Sequence, residues 1–468
     1  MKMKNRYINI LFISMALTVF SCQDLLDIEP AQSLSTEESL SNYNSMVTAL
    51  LGAYDGLQQT NYYGRDFVVN PEVGGDNVYL AIDNSNRFLI NYQYNLNANA
   101  TQAGYWDRAY QIILRVNNII NNIDLATDAT TAERNQILGE ALALRAMLHF
   151  DLTRVFCAPY AEGTGANTGI PIMLEANIGT PPRNSLSEVY SQIGLDLTQA
   201  VPLLTEAVGP YRMTAYAAKA LMARVALYQG DNATAESMAT DVITNGGFTL
   251  HAGTDLATFY STSGNSEEIF TVNRRPEETS GSDNLGQIYN PSGYGDIRVT
   301  TDIINMYEAG DERSVGAPSG ADLIYIGSTG EYHHGKFLGE SGVPGLVSVK
   351  VMRLAEMYLI RAEARAKSGS AGATGDVDMI RNRAGLGNFA GTVTLQDVLD
   401  EKNREFAFEG HRTFDLWRNG LPLTRIQANT GLEISAPAFI AADSYLRVYP
   451  IPQGELDTNK EITQAPGY

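Results

Sequence analysis

Three stretches of this 468-residue chain share one local pattern, and that pattern narrows the folds open to it. From Glu133 to Val155, Ile137, Ala141, Leu144, Leu148 and Val155 recur at spacings of three, four and seven. Such spacing places apolar side chains on one face of an α-helix. From Thr214 to Tyr228, Ala218, Leu221, Val225 and Tyr228 do the same, with Thr214 placed to cap the helix N-terminus. A third helix from Arg353 to Lys367 carries Leu354, Met357, Tyr358, Arg361, Ala362 and Ala364. Gly230-Asp231-Asn232 ends the second helix and Ala233–Ile243 begins a partner; Gly369 to Gly375 ends the third and Asp376–Arg383 resumes.

Each helix also carries an Arg among small or apolar neighbours: Leu144-Arg145-Ala146, Ala223-Arg224-Val225 and Ile360-Arg361-Ala362. Small residues at helical spacing let two helices approach closely, as in arrays of tetratricopeptide type. The interval departs from a uniform period of about 34 residues, so the repeat is degenerate and interrupted. The expected fold is mainly α: one tetratricopeptide-like helix-pair scaffold over residues 37–468, with long irregular loops at about 61–99 and 252–347. A few short strands are expected too, such as Glu268–Val272. Most of 252–347, rich in Gly, Ser and Thr, reads as solvated connection.

The amino terminus gives a cellular address. Lys2, Lys4 and Arg6 precede an apolar run of 13 residues from Ile8 to Phe20, which is short for a bilayer span and suited to a secretory leader. Ser21-Cys22 follows directly, so residues 1–21 are expected to be a lipoprotein signal peptide and Cys22 the lipidated first residue. Residues 22–36, acidic and then broken by Pro30, read as a tether. No later apolar run is long enough to cross a membrane, so the expected attachment is the lipid anchor alone.

Charge and chemistry exclude several classes. Asp plus Glu outnumber Lys plus Arg by 53 to 33, a net charge of −20 that becomes −23 from Cys22 onward. A nucleic-acid binder needs a basic surface, which this balance opposes. Five His and two Cys leave little for a zinc site, and Cys157 reads as a buried small residue. There is no Gly-x-Ser-x-Gly elbow, no phosphate-cradling Gly loop and no His-Glu-x-x-His. His333-His334 beside Glu331 is a poor metal site on a loop, and Asp66, Glu72, Asp76 and Asp83 read as loop charge rather than a glycosidase pair. In the charged run Glu401 to Arg418, Arg404 with Glu401 and Glu405 reads as structural ion pairing. No enzyme activity, metal or cofactor is expected.

Residues 61–99 have the composition of a binding surface, with nine Asn and five Tyr. Aromatic rings stack on the C–H faces of sugars, and Asn amides match hydroxyls without adding charge. The candidate ligand contacts are Tyr62, Tyr63, Asp76, Asn77, Tyr79, Asn84, Arg87 and Tyr92, with the Tyr289–Tyr294 loop as the alternative location. The same rings could instead pack the loop onto the scaffold.

Five features together resemble the SusD/RagB family of outer-membrane nutrient-uptake lipoproteins. They are Cys22 followed by Asp24-Leu25-Leu26-Asp27, the helix Arg353 to Ala366, and Ile380 to Leu386. The others are Glu401 to Arg418, with Glu409-Gly410-His411-Arg412, and the ending Tyr449 to Gln453 through Gln464 to Tyr468. The resemblance implies a tetratricopeptide-type scaffold on the outer face of the cell outer membrane, lipidated at Cys22. It also implies a SusC-like TonB-dependent β-barrel transporter as partner and an oligosaccharide ligand, or a peptide in the RagB-like branch, without catalysis. With only Trp106 and Trp417, both in helical motifs, the chain lacks a Trp platform like that of starch-binding members.

Overall fold

The structure is a computed structural model that describes residues 39–177, 179–426 and 431–468. The leader, the tether and Cys22 lie outside the described residues. Helices α1 (Tyr43–Leu57), α2 (Asp66–Val73), α3 (Ala103–Asn122), α4 (Thr131–Phe156) and α5 (Leu186–Ala200) come first. After them come α6 (Ala215–Gln229), α7 (Asn232–Asn245), α8 (Leu354–Ser368), α9 (Ala373–Arg383), α10 (Leu395–Phe406), α11 (Arg412–Arg418) and α12 (Gln453–Thr458). Successive helices pack as pairs: α3 on α4, α4 on α5, α6 on α7, α7 on α8, and α8 on α9 and α10.

Local chemistry sets the boundaries. Thr130 and Glu133 form a reciprocal capping box at the start of α4, and Ser185 with Glu188 and Thr394 with Asp397 do so for α5 and α10. Thr214 caps α6 by accepting the Ala217 N–H. Gly230 (φ 83°) and Gly369 (φ 75°) close α6 and α8 in the left-handed conformation that a side chain would oppose. In the interior Leu144, Leu148, Leu221 and Ile360 are at most 1% exposed, each contributing about 2 kcal/mol by leaving water. Ala217, Ala218, Ala220 and Ala223 are fully buried, which lets the α6 backbone lie close to its neighbours.

The three Arg residues turn out to pin helix to helix. Arg145 on α4 reaches Asp196 on α5 at 2.7 and 2.8 Å, and Arg361 on α8 reaches Asp376 on α9 at 2.6 Å. Arg224 on α6 reaches Glu356 on α8 at 2.5 and 2.6 Å. Removing one partner of such a buried pair strands the other charge.

Residues 252–347 correct the expectation of a mainly solvated connection. Ile269, Phe270, Leu285, Ile288, Ile297, Val299, Ile303 and Ile324 are all buried in the main core. Strand β2 (Glu268–Val272) pairs antiparallel with β6 (Val349–Arg353). Strands β1 (Val78–Leu80), β3 (Ile297–Val299), β4 (Ile324–Ile326) and β5 (Tyr332–His334) form a sheet in the order β1-β3-β5-β4. Through the β1–β3 pair, the 61–99 segment and the 252–347 segment become one layer on the helices.

The charged carboxy-terminal run is a buried ion network. Arg353, 1% exposed, meets Glu405, Glu267 and Glu409 at 2.5, 3.1 and 2.9 Å. Glu405 also pairs with Arg313 and Arg383, and Glu401 with Arg313 and Arg404. Trp417 packs with Tyr94, Leu416, Leu423 and Ile440. Among the described residues no helix is long and apolar enough to cross a membrane.

Candidate functional site

The 61–99 segment divides sharply into a buried majority and an exposed turn. Tyr62, Tyr63, Tyr79 and Tyr92 are at most 4% exposed. The Tyr62 and Tyr63 hydroxyls donate to one oxygen of Asp151 on α4 at 2.8 and 2.9 Å, and both rings pack on Phe67. The Arg425 guanidinium lies over the Tyr92 ring at 4.6 Å, and Tyr79 sits inside the sheet on β1. Asn77, 1% exposed, donates to Asn403 and Glu72, while Asp76 takes both Arg412 nitrogens at 2.8 and 2.7 Å. The expectation that these six side chains face a ligand is therefore corrected. Their rings and amides are consumed in seating the segment, because apolar faces and obligatory polar partners are satisfied more fully in the core than at the surface.

Asn84 and Arg87 remain at the surface. Beyond β1 the chain turns through Ile82, 66% exposed, and Asn84 shapes the turn by donating to the Ala81 carbonyl and accepting the Asn86 N–H. Asn86 and Phe88 have φ of 64° and 61°. Asn tolerates that region, whereas an aromatic residue there is strained, and such strain concentrates at functional turns. The strained turn presents Arg87, whose guanidinium carbon lies 3.8 Å from the centre of the Tyr294 ring. One Arg87 nitrogen donates to the Tyr294 hydroxyl at 2.8 Å and another to Ser85 Oγ at 2.9 Å.

Asp283 joins this cluster, 2.8 Å from Arg65 and 3.5 Å from Arg87, and its side chain is 46% exposed. Phe88 lies beneath the Arg65 guanidinium at 5.5 Å. The surface thus offers a planar guanidinium on an aromatic ring beside an accessible carboxylate. That combination provides donors and an acceptor side by side for a hydroxyl-rich or amide-rich ligand. Tyr294 and Asp283 were absent from the primary candidates, although the 289–294 loop was the stated alternative. The fold brings them to Arg87 across 207 and 196 residues.

The other constellations are structural. Asp66 pairs with Arg65 and Asp83 with Arg298. Glu72 is fully buried, accepts the Gly410 N–H at 2.8 Å, and is pushed up to about 7 by burial. His333 and His334 lie on strand β5, not a loop, and His334 stacks on Phe408 at 4.4 Å. Burial pushes the Cys157 thiol up to about 11, far from a reactive thiolate. Among the described residues no group of His, Cys, Asp or Glu is arranged to hold a metal ion.

Comparison with known proteins agrees with this fold. The SusD family model matches residues 344–468, and a SusD-like model described as starch-binding, associating with outer membrane, matches residues 24–227. SusD-like protein P2 of Formosa agariphila is 27% identical over 98% of this chain and 99% of that protein. A solved SusD superfamily protein from Bacteroides vulgatus superposes with a TM-score of 0.83 at 30% identity, covering 91% of this chain and 99% of that one. A laminarin-binding SusD-like protein superposes with a TM-score of 0.73 at 25% identity, covering 92% and 100%. Helical scaffold, buried carboxy-terminal network and full-length likeness agree: this chain belongs to the SusD family.

Proposed function

We propose that this protein is a cell-surface lipoprotein that binds a nutrient oligosaccharide at the Arg87 surface and delivers it to a SusC-like TonB-dependent β-barrel in the outer membrane. The observation that carries the binding half is the Arg87–Tyr294–Asp283 cluster, left accessible while the tyrosines of the 61–99 segment are buried. Guanidinium and carboxylate groups can pair with vicinal hydroxyls, and the strained turn holds them without the cost of ordering a loop. The glycan is favoured by the laminarin-binding and starch-binding descriptions of the relatives. The leader-like run ending at Cys22 supports the anchor, and the family description, associating with outer membrane, supports the location. The protein acts by capture and not by turnover, since the loop carboxylates are tied to arginines or sealed in the core.

Calorimetric titration against neutral β- and α-glucan oligosaccharides and against short peptides tests this reading. Arg87→Ala and Tyr294→Ala are each expected to weaken glycan binding about tenfold or more, as for loss of a charge-assisted contact. Binding of peptides alone would overturn the glycan assignment and leave RagB-like peptide capture. Unchanged affinity in both variants would move the site.

A further inference from the structure

A second concavity lies away from the Arg87 turn, between α3, residues 171–173 and 179–181, and the carboxy-terminal helix α12. It encloses about 550 Å³, a volume typical of small-ligand sites. Trp106, Tyr110 and Leu114 follow one another at i, i+4 and i+8 along α3 and form one wall, with Met173 and Ile462 completing an apolar lining. Leu114 is 45% exposed, an apolar surface that the fold leaves open to water. Two carboxylates stand on this lining, Asp107 on α3 and Glu455 on α12.

Among the described residues no Lys, Arg or His lines the cleft. Glu455 is half-buried, and burial, followed by the negative charge of Asp107, raises its pKa. Burial also raises that of Asp107. Glu455 is half-buried and Asp107 exposed, and two like charges facing one cleft, with no cation among its described lining residues, favour an incoming cation. Trp106 is 2% exposed and so offers no open ring face for a sugar to stack on. An anion would meet both carboxylates, and Gln111, Thr458 and Asn459 add neutral polar groups beside the apolar Leu114, Met173 and Ile462. The chemistry that uses both the carboxylates and the apolar wall is a cation on an apolar stem.

We infer that this cleft is a second ligand site, separate from the Arg87 surface, which takes a lysine or arginine side chain of an extended peptide. The methylene stem and an apolar neighbour lie on Tyr110, Leu114 and Met173, and the charged head lies between Asp107 and Glu455. The net charge of −20 adds a long-range attraction for such a partner.

The chain has only two Trp, and the other, Trp417, belongs to a separate buried cluster. In a full-length Trp417→Phe variant, emission therefore reports on Trp106 alone. Acetylated and amidated Phe-Lys-Phe should change that emission saturably, with Phe-Gln-Phe about tenfold weaker, the scale of one charge-assisted contact, and Phe-Glu-Phe without effect. Adding Leu114→Lys or Asp107→Asn should weaken the lysine peptide by a similar factor. Both alter exposed positions on α3, so the response stays interpretable where a change at the half-buried Glu455, such as Glu455→Gln, fails to fold. Adding Arg87→Ala should leave the response intact, which separates this site from the glycan surface. Equal binding of the three peptides, a response to glucan oligosaccharides instead, or no response to the lysine peptide at about 10 mM in a chain with native circular dichroism would overturn the inference.

Discussion

Glu72 gives a quantitative test of the packing between α2 and the carboxy-terminal region. Its carboxyl is fully buried and accepts the Gly410 N–H and the Asn77 side-chain amide. Burial, the dominant cause, raises it from the ordinary value of 4.5 to about 7. Between those two pH values the folded chain keeps a proton that the unfolded chain releases, so stability falls as pH rises. With one pKa unit worth about 1.36 kcal/mol, the loss between pH 5 and pH 8 is about 2.5 kcal/mol. Glu72→Gln keeps an oxygen to accept from Gly410 and removes the titration. The buried imidazoles act in the opposite sense. His149, lowered to about 3, and His411, lowered to about 4, both by burial, must take up protons on unfolding in acid, so they favour folding more as pH rises toward 6.5. They are common to both proteins and cancel in the difference. Urea unfolding from pH 5 to pH 8 should therefore show the Gln variant gaining about 2.5 kcal/mol on the parent across that range. Parallel curves would refute the burial argument, and a Gln variant that loses ground above pH 7 would refute its sign.

Tyr62→Phe removes a buried hydroxyl from Asp151 and should cost about 1–3 kcal/mol in urea unfolding while leaving calorimetric ligand affinity unchanged; a fall in affinity at full stability would return Tyr62 to the binding surface. Arg353→Leu strands Glu267 and Glu409 in the interior and should cost about 3–5 kcal/mol, read by the same unfolding assay. Cys22→Ala should move the protein from the membrane to the soluble fraction in cells lacking the barrel partner, and retention in the membrane would refute lipid anchoring.

The helical scaffold was legible because its signals are local. Apolar spacing in 133–155, the Thr214 cap and the Gly230 and Gly369 stops each act within one or two turns, and α4, α6 and α8 begin and end within a few residues of the expected positions. Glu268–Val272 was legible as a strand for the same reason. The 252–347 segment was not, because its apolar residues are spaced for partners in 61–99 and in the helices, and composition carries no record of such distant pairing.

The candidate site shows the same division. A run of Tyr and Asn looks alike whether its rings stack on a ligand or wedge into a core, since both settings want flat apolar faces with polar tips. Asp151, 89 residues from Tyr62, decides for the core by accepting two tyrosine hydroxyls. Tyr294, 207 residues from Arg87, decides what stays outside by holding the guanidinium at the surface. The sequence by itself therefore determined the helix class and the acidic charge, both set by neighbours along the chain or by composition. Which aromatic residues are buried, and which arginine is displayed, only the tertiary structure decided, because each outcome depends on a partner that folding alone brings near.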